Sequence, residues 1–142
     1  MKTIRLTAKD FTVQYPRVYS GEELDYNINL EIESNLGWVR FNQINVAGYI
    51  CAEAGTGISA VWGIKAGWDI KAGESIDAGE DIKAEDNISA VWGIKAGWSI
   101  KAGENIDAGW SIKTDLNIKA GGNIKAGGGI DAGGSIDAGA IS

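Results

Sequence analysis

The chain has 142 residues, enough for one domain, with 19 acidic and 13 basic side chains and a net charge of −6. An acidic surface repels nucleic acid phosphates, so we expect no direct nucleic acid binding and a basic protein surface as partner. The chain has no histidine and one cysteine, Cys51, so the commonest general base and metal ligand is missing and no internal disulfide can form. We therefore predict no catalytic site, no metal and no cofactor, and the reducing cytoplasm as the location.

The first 43 residues differ from the regular repeats that follow. Met1–Leu6 lacks the apolar run of a signal peptide, and no stretch of the chain approaches the length of a membrane span. Residues 11–15 and 28–32 alternate between apolar and polar side chains, as half-buried strands do. Pro16 and residues 20–23 indicate turn or loop. We interpret residues 1–43 as an N-terminal cap with short strands that covers the open end of a second region, residues 44–142.

The second region is built from a six-residue repeat. Isoleucine occupies every sixth position from Ile58 to Ile136, and the residue two places later is small throughout, with Thr114 as the exception to alanine. The hexad reads Ile-x-Ala-Gly-x-x, so isoleucine and alanine point to one side of an extended segment and glycine suits the bend that follows. Ile44 and Ile50 begin the pattern, and the eight-residue step from Ile50 to Ile58 predicts a two-residue insertion that bulges from a corner.

This period predicts the fold class. A helix would repeat its apolar positions every three or four residues, whereas short strands joined by bends stack into a solenoid. Three hexads give a coil of about 18 residues, and successive coils pair as parallel strands about 4.8 Å apart. The prediction is an all-β chain that forms a parallel β-helix, a triangular β-solenoid, whose core is stabilised by about 1.5–3 kcal/mol for each buried isoleucine.

The side chains that point outward supply the candidate binding residues. Under this geometry one side of the rod carries Lys65, Lys83, Lys101 and Lys119, and neighbouring acids would moderate their repulsion. Five tryptophans occupy the fifth place of the hexad, beside the corner, where exposed aromatic rings mark interfaces. The candidate partner-binding residues are Glu74, Glu80, Asp81, Asp86, Glu104, Trp68, Trp92, Trp98 and Trp110.

Two alternatives compete with a binding role for these residues. The charged positions are also consistent with a solvated surface that prevents aggregation, and each indole could lie flat over the glycine corner of the next coil. Trp92 and Trp110 are expected to be stacked neighbours. Residues 58–79 recur almost unchanged as 88–109, a spacing of five hexads, so the copy falls on a different side of the rod and preserves no single functional face.

The C-terminal end lacks a charged or helical cap. An uncapped coil exposes backbone groups and apolar core residues to water. We therefore expect two copies to pair end to end as a homodimer. The candidate dimerisation residues are Ile136, Ala138, Ala140 and Ile141.

The hexads resemble those of hexapeptide-repeat, left-handed β-helix proteins, a class best known from bacterial acyltransferases. The usual order in that class is a small residue, a spacer, a large aliphatic residue and glycine. Here Ile64 holds the small place and Ala66 the large one. The resemblance implies the β-helix fold. The acyltransferases use a histidine that this chain lacks, so an acyltransferase relative is a remote alternative.

The near-perfect units, such as Ile94–Ser99, also look like repeats from small proteins of bacteriophages and mobile elements. Some small acidic proteins from that source inhibit host defence systems, including anti-CRISPR proteins. Our first hypothesis is therefore a non-enzymatic binding protein, a phage-type inhibitor in the host cytoplasm that occupies the basic surface of a nucleic-acid-binding effector. The alternative is a structural or assembly module that acts as a rigid spacer or polymerises with other copies.

Overall fold

The computed structural model describes residues 1–142 as an all-β parallel solenoid with three sheets, which confirms the predicted fold class. Strands β1 to β21 follow the chain, and Ala8–Asp10 form one turn of 3-10 helix. Sheet 1 contains β1 (Lys2–Leu6), β3 (Ile28–Ile32), β6 (Ile50–Ala54), β9 (Ile70–Gly73), β12 (Ile88–Ala90), β15 (Ile106–Ala108), β18 (Asn123–Ala126) and β21 (Ala140–Ile141).

The other two sheets interleave with sheet 1 along the chain. Sheet 2 contains β2 (Arg17–Val18), β4 (Gly37–Phe41), β7 (Thr56–Ala60), β10 (Ile76–Ala78), β13 (Ile94–Ala96), β16 (Ile112–Thr114) and β19 (Ile130–Ala132). Sheet 3 contains β5 (Ile44–Val46), β8 (Ile64–Ala66), β11 (Ile82–Ala84), β14 (Ile100–Ala102), β17 (Ile118–Ala120) and β20 (Ile136–Asp137). Each full coil therefore contributes one strand to each side of a triangle.

The register matches the expected 18-residue coil. Ile76 pairs with Ile58 on one side and with Ile94 on the other, and the same step links Ile82 to Ile64 and to Ile100. Isoleucine therefore stacks on isoleucine and alanine on alanine through the interior. Nearly every isoleucine and alanine of these columns is buried until the last coils, because every side chain in the column points into the triangle.

Glycine and polar residues hold the corners. A Cβ added at Gly97 would lie 2.2 Å from the carbonyl oxygen of Gly79 in the preceding coil, so glycine in the fourth place permits close stacking. Side chains in the sixth place form ladders along the corners, in which seven of them accept the backbone amide of the residue 18 positions later. Asn105 accepts from Asn123 at 2.8 Å, and Asn117 accepts from Ser135 at 2.8 Å.

The N-terminal coils extend the same sheets with larger side chains. Strands β1 and β3 continue sheet 1, and β2 and β4 continue sheet 2, so no break in the sheets coincides with the expected boundary at residue 44. Phe11, Tyr19 and Phe41 pack ring against ring at 5.3–5.9 Å between centroids. This part of the chain is a continuation of the rod with an irregular core.

The second residue of the two-residue insertion, Thr56, lies inside the rod. A register irregularity between Cys51 and Ala54 marks its start, and Gly55 has φ +79°, a conformation that favours glycine. Thr56 is fully buried; its hydroxyl donates to the Glu33 carbonyl at 2.6 Å and accepts the Leu36 amide at 3.1 Å. The insertion was expected to bulge outward, but its threonine instead braces the preceding coil.

Candidate partner-binding surface

The nine predicted partner-binding residues divide among three corners of the rod. We call the bend from sheet 1 to sheet 2 the first corner, from sheet 2 to sheet 3 the second, and from sheet 3 to sheet 1 the third. Backbone hydrogen bonds between coils connect the fifth-place residues within each corner. The first corner carries Glu74, Trp92 and Trp110; the second carries Glu80, Asp81 and Trp98; the third carries Trp68, Asp86 and Glu104. The structure therefore places three of the nine residues at each corner.

The second corner has the largest number of exposed apolar side chains in the fifth place, three in four successive coils. The amides of Glu80, Trp98 and Leu116 each donate to the carbonyl of the fifth-place residue one coil earlier, at 3.0, 3.2 and 3.0 Å. The first of these acceptors is Trp62, so the row reads tryptophan, glutamate, tryptophan, leucine. Trp62, Trp98 and Leu116 are 53%, 48% and 49% exposed. Exposed apolar rows of this kind are typical of interaction surfaces.

A buried threonine supports the second corner. Thr114 is the exception to alanine in the repeat, and its hydroxyl donates to the Trp98 carbonyl and accepts the Leu116 amide at 3.2 Å. The next residue, Asp115, takes the fourth place, where most hexads have glycine, and its side chain is exposed. The irregular hexad therefore fixes the backbone beneath the row and adds a third acid beside Glu80 and Asp81.

The first and third corners are each less complete. In the first, the Trp110 amide donates to the Trp92 carbonyl at 2.8 Å, which places them in successive coils as expected. The ring-to-ring contacts of the structure all lie among Phe11, Tyr19 and Phe41, so the two indoles are neighbours without ring contact. The third corner has a single tryptophan, Trp68, and four acids, Asp69, Glu85, Asp86 and Glu104.

The bases of the repeats are confined to the sides of the rod, whereas acids occur both on the sides and at the corners. All eight lysines after residue 50 lie in the second place of a hexad, in the middle of a side, whereas the corners between residues 61 and 123 contain acids and no base. The expected column Lys65, Lys83, Lys101 and Lys119 is confirmed on sheet 3. One ion pair forms among the repeats, Lys83 to Glu85 at 3.9 Å, so the corner acids predicted as partners of the lysines are not paired with them.

One predicted partner-binding residue also has a structural role. The Asp81 carboxylate accepts the Ser99 amide at 2.9 Å as part of the sixth-place ladder, so it stabilises the corner as well as carrying a charge.

Three residues of the second corner were not predicted as partner-binding residues: Trp62, Leu116 and Asp115. The spacing of 36 between Trp62 and Trp98, two coils, places them in one corner and was the available signal.

Two carboxyl groups and one thiol have shifted pKa values with identifiable causes. Burial raises the pKa of the Asp77 carboxyl, although Lys95 and Arg40 oppose the shift. Burial also raises the pKa of the Cys51 thiol, which therefore carries less reactive thiolate. A two-pronged hydrogen bond from Arg5, at 2.7 and 3.0 Å, lowers the pKa of the Glu53 carboxyl. These groups lie on the sides of sheets 1 and 2.

The C-terminal coil exposes core residues. Ile136 and Ile141 are 37% and 53% exposed, Ala140 is exposed and Ala138 is partly buried against the core. The open strands here are β19, β20 and β21, one for each sheet. Pairing of this end with a second copy stays a prediction.

No group of three or more histidine, cysteine or carboxylate side chains is arranged to hold a metal ion. None of the helical structure has the length and hydrophobicity needed to cross a bilayer. Comparison with protein-family models, curated proteins and solved structures gives no match for this chain.

Proposed function

We propose that this protein is a non-enzymatic binding rod whose second corner attaches to a basic protein surface. The observation that supports this most strongly is the continuous row of Trp62, Glu80, Trp98 and Leu116 on coils joined by backbone hydrogen bonds. A rigid row needs little reorganisation on binding, so its burial is converted efficiently into affinity.

The apolar part of the row supplies affinity. A tryptophan can bury up to about 250 Å², and burial of the exposed half of one indole would contribute about 3 kcal/mol at 25 cal/mol per Å². Trp62 and Trp98 are two coils apart, about 10 Å, so one partner surface spans both. Tryptophans at the centre of an interface are frequent hot spots.

The charged part supplies orientation and partner choice. Glu80, Asp81 and Asp115 lie in or beside the row, and no lysine or arginine occupies this corner. A local field of one sign speeds the approach of an oppositely charged partner and is screened by salt. Binding through the second corner is therefore expected to be sensitive to salt.

The more specific form of the proposal is an inhibitor of a bacterial defence complex, of the anti-CRISPR type. Its support is chemical: Glu80, Asp81 and Asp115 place carboxylates along one edge of the rod, as phosphates lie along one nucleic acid strand. An effector that binds nucleic acid has the basic groove that such an edge would occupy. The captured partner should then bind either nucleic acid or this protein, and simultaneous binding of both would contradict the inhibitor form.

Affinity capture from bacterial lysate tests the general proposal. The wild-type protein should retain a basic partner in one-to-one ratio at low salt and release it at high salt. The variant Trp62→Ala with Trp98→Ala should weaken the dissociation constant at least about tenfold, which corresponds to 1.4 kcal/mol. The matched control, Trp92→Ala with Trp110→Ala, removes two indoles from the first corner and should retain the partner. Equal loss in both variants would contradict a role for the second corner.

An assembly module is the second candidate. The exposed side chains of Ile136 and Ile141 favour it, because apolar residues at an open sheet end promote pairing between copies. Sedimentation velocity distinguishes the two proposals. Self-association that Ile136→Lys abolishes, together with no captured partner, would support assembly and contradict the binding rod.

A further inference from the structure

The three sheets begin at different levels of the rod. They contain eight, seven and six strands, and the first coil, which supplies β1 and β2, gives no strand to sheet 3. Residues 19–27 cross that side as an irregular loop before β3 begins. Sheet 3 therefore starts at β5, one coil later than the other two sheets.

The edge of β5 has unpaired backbone groups. The Ile44 amide donates to the Gly63 carbonyl at 3.0 Å, and the Val46 carbonyl accepts the Gly67 amide at 3.0 Å. Both residues therefore form hydrogen bonds with the following coil. In a parallel strand the residue between them directs its amide and carbonyl to the opposite side. Those groups belong to Asn45, and no strand lies on that side.

The other two edges at this end are protected. Sheet 1 ends in β1, which carries Lys2 and Arg5, and charged residues discourage pairing of an edge strand. Sheet 2 ends in β2, a strand of two residues, and an antiparallel bridge between Phe11 and Tyr19 lies beside it. The edge of β5 is closed only beyond its C-terminal end, where the Ala47 amide donates to the Tyr26 carbonyl at 2.7 Å and the Gly48 amide to the Ile28 carbonyl at 3.1 Å.

A groove lies along this open edge. Its volume is about 890 Å³, and its apolar lining includes Tyr19, Leu24, Tyr26, Phe41, Ile44 and Trp62. Tyr26 and Trp62 are 58% and 53% exposed, so these residues remain accessible to a ligand. Glu23 and Asp25 also line the groove, and no lysine or arginine does.

We infer that this groove binds an extended basic peptide that pairs with β5 as an added strand of sheet 3. The open backbone of Asn45 would receive main-chain hydrogen bonds, as in other complexes in which a peptide extends a sheet. Alternate side chains of the peptide would point into the aromatic lining, and its basic side chains would meet Glu23 and Asp25. The inference goes beyond the proposed function, because the groove shares only Trp62 with the second-corner row.

Fluorescence polarisation with a short labelled peptide of alternating valine and lysine tests the inference. The wild-type protein should bind it, and Glu23→Lys with Asp25→Lys should weaken binding at least about tenfold. The same peptide with its alternate amides methylated should lose binding, because strand pairing requires those donors. The control variant, Asp107→Lys with Asp131→Lys, makes the same charge change on the sides of sheets 1 and 2 and should bind within about twofold of wild type. Circular dichroism would establish that all variants are folded.

Four results would overturn the inference. The first three are no measurable peptide binding, equal binding of the methylated peptide, and no effect of the groove variant. The fourth is a groove occupied by a second copy of the chain, which would be seen as a dimer that the groove variant dissociates. The test is separate from that of the second corner, because Trp98→Ala should leave peptide binding intact even if the corner binds no partner.

Discussion

The regular coils and the N-terminal coils use the same sheets but different cores. In the regular coils isoleucine and alanine repeat, so each position has an equivalent one coil away. In the N-terminal coils three aromatic rings, three leucines and a buried threonine replace the regular isoleucine and alanine at several positions. Stability is therefore expected to be spread over many equivalent positions in the repeats and concentrated in a few residues at the N-terminal end.

The largest expected effect is at the aromatic cluster. Phe41→Ala removes a buried ring that contacts both Phe11 and Tyr19 at 5.7 and 5.3 Å, so we expect the free energy of unfolding to fall by about 4 kcal/mol. Guanidinium denaturation followed by circular dichroism measures it. The control Phe41→Leu keeps most of the volume and should cost below about 1.5 kcal/mol. A loss below about 1 kcal/mol for the alanine variant would show that stability is not concentrated there.

Within the repeats the effect of one substitution should depend on its distance from the open end. Ile94→Ala removes a buried side chain with isoleucine neighbours on both sides, Ile76 and Ile112, and should cost about 3 kcal/mol. Ile130→Ala affects a partly buried residue in the last full coil and should cost about 1 kcal/mol. Equal losses in denaturation experiments would contradict stacking as the source of stability.

Two buried threonines sharpen the comparison further. Thr56→Val leaves the Glu33 carbonyl and the Leu36 amide without their hydroxyl partner, and should cost about 2 kcal/mol. Thr114→Ala restores the repeat residue, and the Leu116 amide still bonds to the Trp98 carbonyl at 3.0 Å, so we expect a loss below about 1 kcal/mol. Thermal and chemical unfolding of both variants would test this, and a reversed order would contradict it.

The smallest expected effect concerns the partly buried Asp77. Because its pKa is raised in the folded protein, the charged form opposes folding, and stability from this group increases as the pH falls towards its folded pKa. Asp77→Asn should raise the unfolding free energy at pH 7 by less than about 1 kcal/mol, since the side chain is partly exposed. The gain should disappear below the ordinary carboxyl range, where the carboxyl is protonated in both states. A variant that is less stable at pH 7 would show that Lys95 and Arg40 dominate.

The isoleucine period was sufficient to predict the three-sided rod and its columns, because each hexad satisfies the same geometry. Lys65 and Lys83 fall in one column for this reason. The irregular coils could not be predicted this way: nothing local indicates that Thr56 turns inward or that the first coil supplies no strand to sheet 3. Those features depend on contacts between residues about 20 positions apart, such as Thr56 with Glu33.

The candidate surface was predicted only in part. The fifth place was correctly identified as exposed, and the structure shows that its residues divide among three corners. The spacing of 36 between Trp62 and Trp98 indicates a shared corner, but the two residues belong to different copies of the duplicated segment, whose spacing of 30 favours no common corner. The role of Asp81 in the ladder was not foreseen, since it requires the amide of Ser99 one coil later.

The most direct test of the account is the distance between outward residues 18 and 12 positions apart. With Cys51 replaced by serine, pyrene attached at Lys83→Cys and Lys101→Cys lies on adjacent strands of sheet 3, about 4.8 Å apart, and should give excimer fluorescence. Pyrene at Lys83→Cys and Lys95→Cys lies on two different sides of the rod and should give only monomer emission. Excimer emission from the second pair, or none from the first, would contradict the three-sided coil on which the corners and the groove depend.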